Sequence, residues 1–212
     1  RPRRDTERQA ARWWQAKAAC VAAVSARRAR SVVFAAALLE LALAALGIVL
    51  GAIAGVSPLG SLEWRPADLL FGVLSTLPLL GLFHVAWRSS MPMLRRIRGE
   101  LERLLPVMFA GTSTLGLVVV CLAAGVGEEI LFRGFAQAWL ETLAGPSAAL
   151  MAASLLFGVA HPITTGYVLI ATLVGVYLGA LWRATGNLLT PIVAHALYDL
   201  VVLRFLLRRV RR

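Results

Sequence analysis

Long apolar runs, separated by short polar or basic stretches, set the plan of this chain. From about Ser31 to Gly55 the sequence is almost wholly apolar, interrupted by Glu40. Further runs extend from about Leu69 to Trp87, Leu104 to Ala124, Gly166 to Trp182 and Leu188 to Leu203. These approach the roughly 20 residues that a helix needs to cross a bilayer. The connections carry turn-forming residues: Ser57-Pro58, Gly60 and Pro66 in one, Gly145-Pro146 in another, Thr185-Gly186-Asn187 in a third. Residues 128–142 read as helical, after Gly125-Val126-Gly127, where the glycines are expected to bend the chain or admit another backbone. Ser147 to His161 reads as a short helix, opened by Pro146 and closed by Pro162, which disfavours helical geometry at His161.

The first thirty residues follow a different pattern. Trp13, Lys17, Cys20, Val21 and Val24 share one helical face, flanked by Arg12, Arg27, Arg28 and Arg30. That suits an amphipathic helix lying in the membrane interface. The predicted fold class is all-α: a polytopic helical membrane bundle with about six transmembrane helices and an N-terminal amphipathic interfacial helix. The expected division is a basic amphipathic segment (1–30), a polytopic membrane domain (31–205) and a basic tail (206–212). Gly47, Gly51 and Gly55 form a stripe where another helix could approach closely. Pro78 predicts a kink in the second span. His84, alone near the end of that span, reads as interfacial or packed.

Composition supports a membrane protein. Of the 212 residues, 59% are hydrophobic, and mean hydropathy is +0.75, beyond what a soluble domain can cover with charge. The net charge of +11 does not point to nucleic acid, because 19 of the 22 Lys and Arg residues fall in three blocks, 1–30, 88–103 and 204–212, beside apolar runs. This is the positive-inside pattern, and it predicts an integral membrane protein with both termini cytoplasmic, facing anionic headgroups. Cys20 and Cys121 suggest neither a disulfide framework nor a metal site. The chain begins at Arg1, and its first long apolar run starts near Ser31, so no cleavable signal peptide is expected.

The chemistry lies in the few ionisable residues inside these runs. A charge in hydrocarbon costs roughly 2.5–3.5 kcal/mol on insertion scales, so such residues are rare and usually functional. Glu128 and Glu129 are adjacent, and Glu129 shares a helical face with Arg133 four residues on, which predicts an ion pair. Glu128 points about 100° away, free to face a cavity and accept a proton from water. His195 and Asp199 are also four apart, so the carboxylate can orient the imidazole. Phe157 and His161 repeat the spacing, with the Phe157 ring shielding the imidazole. Glu128, His161 and His195 come from three separate helices, the usual way a bundle builds a polar site.

Glu128-Glu129-x-x-x-Arg133, Phe157-x-x-x-His161 and His195-x-x-x-Asp199 together resemble the three motifs of the CPBP family, the CAAX proteases and bacteriocin-processing enzymes. The resemblance covers about residues 100–205, and the stretch from Glu128 to Phe135 is especially typical. It implies an intramembrane glutamate-type endopeptidase with no cofactor and no metal. In that family Glu128 with His161 would activate the attacking water, His195 with Asp199 would stabilise the oxyanion, and Glu129 with Arg133 would support the site. One position departs: CAAX-processing members have Asn where this chain has Asp199. An ionised Asp has no proton to donate to an oxyanion, so Asp199 must be protonated or act by orienting His195.

The implied partner is a membrane-bound protein or peptide substrate within the lipid bilayer; the compact length and the rarity of Lys suggest a bacterial cytoplasmic membrane as its location. Two alternatives stand beside this. Glu128, His161 and His195 could form a zinc site of the His₂Glu kind, although no HExxH is present. A non-catalytic membrane scaffold or bacteriocin-immunity protein would have no need of an intact Glu/His/His set.

Overall fold

A computed structural model describes the backbone from Pro2 to Val210 and the side chains from Arg27 to Arg209. The elements are α1 (Pro2–Ala54), α2 (Pro66–Arg88), α3 (Pro92–Phe109), α4 (Thr114–Glu129), a π-helical segment (Ile130–Gln137), α5 (Ala138–Ala144), α6 (Pro146–Val159), α7 (Thr165–Thr185) and α8 (Leu189–Val210). The fold is an all-α polytopic helical bundle. The interfacial face expected at Trp13, Lys17, Cys20, Val21 and Val24 lies outside the described residues.

Five helices among the described residues are long and apolar enough to cross a membrane: Arg27–Ala54, Pro66–Arg88, Thr114–Ala144, Thr165–Thr185 and Leu189–Arg209. The sixth apolar element, α6, has 14 residues, about 21 Å of helix at 1.5 Å per residue, against a hydrocarbon core of about 30 Å. Many large apolar side chains face outward, among them Leu38, Leu39, Leu77, Val85, Leu155 and Leu173. On a soluble protein so many would be a liability; here they meet lipid.

Helix starts follow the local chemistry. Pro66, Pro92 and Pro146 occupy first-turn positions, where the missing N–H is no loss. Ser113 Oγ accepts from Gly116 N at 3.1 Å to cap α4, and Thr164 Oγ1 accepts from Tyr167 N at 3.1 Å to cap α7. The basic stretch after Trp87, expected as a connection, is the amphipathic helix α3. It ends at Phe109, so the next span starts at Thr114 rather than Leu104.

The glycines of Gly125-Val126-Gly127 do not bend the chain. α4, the π-helical segment and α5 form one helical span of 31 residues, Thr114–Ala144. Those glycines admit other backbones instead. A Cβ on Gly125 would lie 2.9 Å from the Ile192 carbonyl oxygen of α8, and one on Gly127 would lie 2.3 Å from the Glu40 carbonyl oxygen of α1. α4 is thereby clamped between α1 and α8. Of the Gly47/Gly51/Gly55 stripe, only Gly47 packs on another element, against Leu131 of the π-helical segment. Gly51 meets Pro58 of the following loop, and Gly55 ends α1 with φ +72°.

At the far end of the bundle a buried side chain ties three segments. Asn187 Nδ2 donates to the Glu63 carbonyl and to Asp68 Oδ2, both at 2.8 Å. Its Oδ1 accepts from Glu63 N at 3.1 Å and Leu189 N at 3.0 Å. These four bonds fix the starts of α2 and α8 to the loop between α1 and α2. Asn187 therefore does more than end a turn.

Candidate active site

Glu128 and Glu129 end α4 near the midpoint of the 31-residue span. The π-helical segment begins with the next residue. Such wider turns in a helix are often found at functional sites, and Arg133 lies within this one. Arg133 Nη1 donates to Glu129 Oε1 at 2.8 Å, and Nη2 donates to the Gly175 carbonyl of α7 at 2.9 Å. Both side chains are shut off from solvent, 1% and 0% exposed. The guanidinium also lies over the Phe157 ring at 4.5 Å. The pair expected from the spacing is present, with a carbonyl partner from another helix that no spacing reveals.

Glu129 Oε1 has a second donor. His195 Nδ1 of α8 lies 2.8 Å from it. A carboxylate already paired with a guanidinium accepts, so Nδ1 carries the proton. The sequence reading gave this orienting role to Asp199. In the structure Asp199 Oδ2 is 3.5 Å from His195 Nε2, longer than an ordinary N–H···O bond, and Glu129 fixes the ring instead. A link across 66 residues leaves no trace in local periodicity.

His161 is fixed in the same way from a different source. It follows α6, in the connection to α7, and its Nδ1 donates to the Phe157 carbonyl at 2.8 Å. The Phe157 ring packs beside it with centroids 4.7 Å apart and touches His195 edge-on at 5.8 Å. Burial pulls the His161 pKa below its ordinary value, against the raising effect of the Phe157 carbonyl.

With both Nδ1 atoms tied back, both Nε2 atoms point at one oxygen. Glu128 Oε2 lies 3.7 Å from His161 Nε2 and 3.9 Å from His195 Nε2. Glu128 Oε2 is buried without a hydrogen-bond partner. These separations exceed a direct hydrogen bond and suit a bridging water. The six residues singled out in the sequence, Glu128, Glu129, Arg133, His161, His195 and Asp199, therefore lie in one cluster. His84 is on the exposed surface, apart from them.

A cavity of about 480 Å³ opens beside the cluster. His161, His195 and Asp199 line its polar end, and α2, α3, α7 and α8 supply mainly apolar walls. Trp87 and Arg98 also line it, the latter donating to the Trp87 carbonyl at 2.5 Å. Among the described residues no group of three His, Cys, Asp or Glu side chains is arranged to hold a metal ion.

Residues 110–201 match the family model described as type II CAAX prenyl endopeptidase Rce1-like. This helical core is Rce1-like. No curated protein and no solved structure matches the chain. The Rce1-like segment contains all six clustered residues, together with α4, α6, α7 and the first half of α8. The similarity to a membrane protease family over residues 110–201, together with five apolar spans, supports an integral membrane protein. The helices α2 and α3, which help to wall the cavity, and α1, which packs against α4, lie before the match.

Proposed function

We propose that this chain is an intramembrane endopeptidase of the glutamate type, hydrolysing a peptide bond in a membrane-associated protein or peptide. The membrane domain of residues 31–205, with its catalytic core from about residue 100, carries the reaction. The observation that supports this most is the convergence of two Nε2 atoms on Glu128 Oε2, at 3.7 and 3.9 Å, with each Nδ1 held elsewhere.

Water bridging Glu128 and His161 loses a proton to Glu128 as its oxygen attacks the scissile carbonyl carbon. The carbonyl π electrons move to oxygen, giving a tetrahedral oxyanion. His195, as an imidazolium, donates from both nitrogens, one to Glu129 and the other toward the oxyanion. Asp199, on the cavity side of His195, serves in the protonated form as a second donor. Collapse of the intermediate breaks the C–N bond, and the proton held by Glu128 passes to the departing amine. The products are a carboxylic acid and an amine, and Glu128 is again ionised. Glu129 and Arg133 hold the ring of His195 and take no part in bond breaking.

The apolar walls of the cavity suit a substrate presented from the lipid side, its scissile bond reaching the polar end between His161 and His195. The test compares the termini of membrane proteins, by mass spectrometry, in cells carrying the wild type and the Glu128→Gln variant. Intact precursors that accumulate with Glu128→Gln and vanish with the wild type are expected. Identical termini in the two strains would overturn the reading.

A further inference from the structure

Two of the three tyrosines stand in the wall of the large cavity, and neither is used in the chemistry above. Tyr167 of α7 and Tyr198 of α8 line it alongside His161, His195 and Asp199. Their rings are anchored: Tyr167 packs on the cluster of Phe132, Phe157 and Ala171, and Tyr198 on the cluster of Leu79, Val174 and Ala194. Each tyrosine also stands beside one imidazole. The centroids of the Tyr167 and His161 rings are 6.4 Å apart. Tyr198 follows His195 by three residues in α8, a spacing that makes the two neighbours on one helical face.

The hydroxyls set these two residues apart. The third tyrosine, Tyr177, donates to the Ser75 carbonyl at 2.8 Å, as a buried phenol usually does. Tyr167 and Tyr198 are half-buried, and neither hydroxyl has a hydrogen-bond partner among the described residues. Neither is sealed off, unlike the unpartnered Gln137 Oε1. Most of the other lining side chains are apolar, and Arg98 is held by the Trp87 and Ser89 carbonyls.

A peptide cleaved in this cavity needs such groups. In a helix the scissile carbonyl is bonded to an N–H four residues on, so the segment must be drawn out of its helix to enter the site. Its N–H and C=O groups then lose their partners. In an apolar cavity nothing replaces those partners unless the wall supplies donors or acceptors. A phenol is both.

We infer that Tyr167 and Tyr198 bind the main chain of the substrate on either side of the scissile bond, Tyr167 beside His161 and Tyr198 beside His195. The substrate class is then a membrane segment that unwinds into an extended strand. This rests on the protease reading. Hydrogen bonds to the main chain give affinity without reading side chains, so selection falls on how readily the segment unwinds.

The test uses a precursor that accumulates with Glu128→Gln, presented to the purified full chain in proteoliposomes as a peptide spanning its cleavage site. Tyr167→Phe and Tyr198→Phe keep the rings and lose only the hydroxyls. Each is expected to unfold at the wild-type temperature and to lower kcat/KM about three- to tenfold, the usual effect of one neutral hydrogen bond. A second set of peptides carries, one at a time, an ester in place of each amide flanking the cleaved bond. The ester removes one N–H and weakens one carbonyl acceptor. At the bond that a tyrosine holds, the ester slows cleavage by the wild type and slows the matching Phe variant no further. A wild-type kcat/KM in either variant overturns the assignment of that residue and leaves the protease reading intact. So does an ester penalty that is equal in wild type and variant at every position. If no precursor accumulates with Glu128→Gln, the protease reading falls and takes this one with it.

Discussion

Glu129 and His195 are joined by a 2.8 Å hydrogen bond between Oε1 and Nδ1, across two helices and beneath the reacting end of the imidazole. The same oxygen accepts from Arg133. A single carboxylate oxygen thus couples the support of the site to the group facing the cavity, and the two neighbouring glutamates are expected to respond to mutation in opposite ways.

Replacing Glu128 by Gln should remove proteolysis while leaving the fold intact. Its Oε2 has no hydrogen-bond partner to lose, and Gln is nearly isosteric. Loss of a general base typically lowers the rate by about 10²–10⁴-fold. Cleavage of a membrane peptide in proteoliposomes, beside thermal unfolding in detergent, measures both. Unaltered cleavage would remove Glu128 from the mechanism.

Replacing Arg133 by Met should destabilise the protein itself. The substitution leaves Glu129 buried without its cation and the Gly175 carbonyl without its donor. Breaking a buried pair by removing one partner costs about 3–5 kcal/mol. The expected result is a clear fall in unfolding temperature, in contrast with Glu128→Gln. A variant as stable as the wild type would show that the pair contributes little to folding.

Asp199→Asn should retain or raise activity. The amide supplies an N–H donor at the position of Asp199 without needing a proton. Loss of activity in this variant would show that the carboxylate is needed in its charged form.

His161 should stay neutral at a pH where an ordinary imidazole is already charged, because burial lowers its pKa. Nitrogen-15 NMR of labelled histidine, assigned with His161→Gln, reads this directly. The sign for stability follows. Between the lowered value and the ordinary value of about 6.5, the unfolded chain binds the proton that folded His161 refuses, so stability falls as the pH is lowered through that window. His161→Gln should flatten this part of the stability profile. A His161 resonance that titrates at or above the ordinary value would contradict the prediction.

Chelators should leave cleavage unchanged if water is activated by Glu128 and His161 alone. Treatment of the purified protein with 1,10-phenanthroline, followed by the peptide assay, checks this. Inhibition reversed by added zinc would favour the zinc-dependent alternative.

Periodicity carried the spans and the pairs that lie along one helix. Glu129 with Arg133 and Phe157 with His161 are four apart, and both contacts form. His195 with Asp199 shows where that reasoning stops. The two residues do share a face, but a closer partner from α4 takes the ring nitrogen, and nothing in the spacing of α8 signals it. The Phe157 and Gly175 carbonyls escaped for the same reason, since a backbone acceptor has no residue type to recognise. The glycines before Glu128 were legible as special but ambiguous between bending and close approach. Only the position of α1 and α8 against them resolves that. Asn187 read as a turn residue because its four partners lie in chain segments that local sequence does not connect.

The contact of α1 with Gly127 also bears on what can be cut away. A fragment trimmed to residues 110–201 would keep every residue thought to react, yet strip one side of α4 of the rod that seals it. Lipid tails would then reach the groove behind the two glutamates, and the shortened protein should be an inert shell unless residues of α1 are supplied alongside.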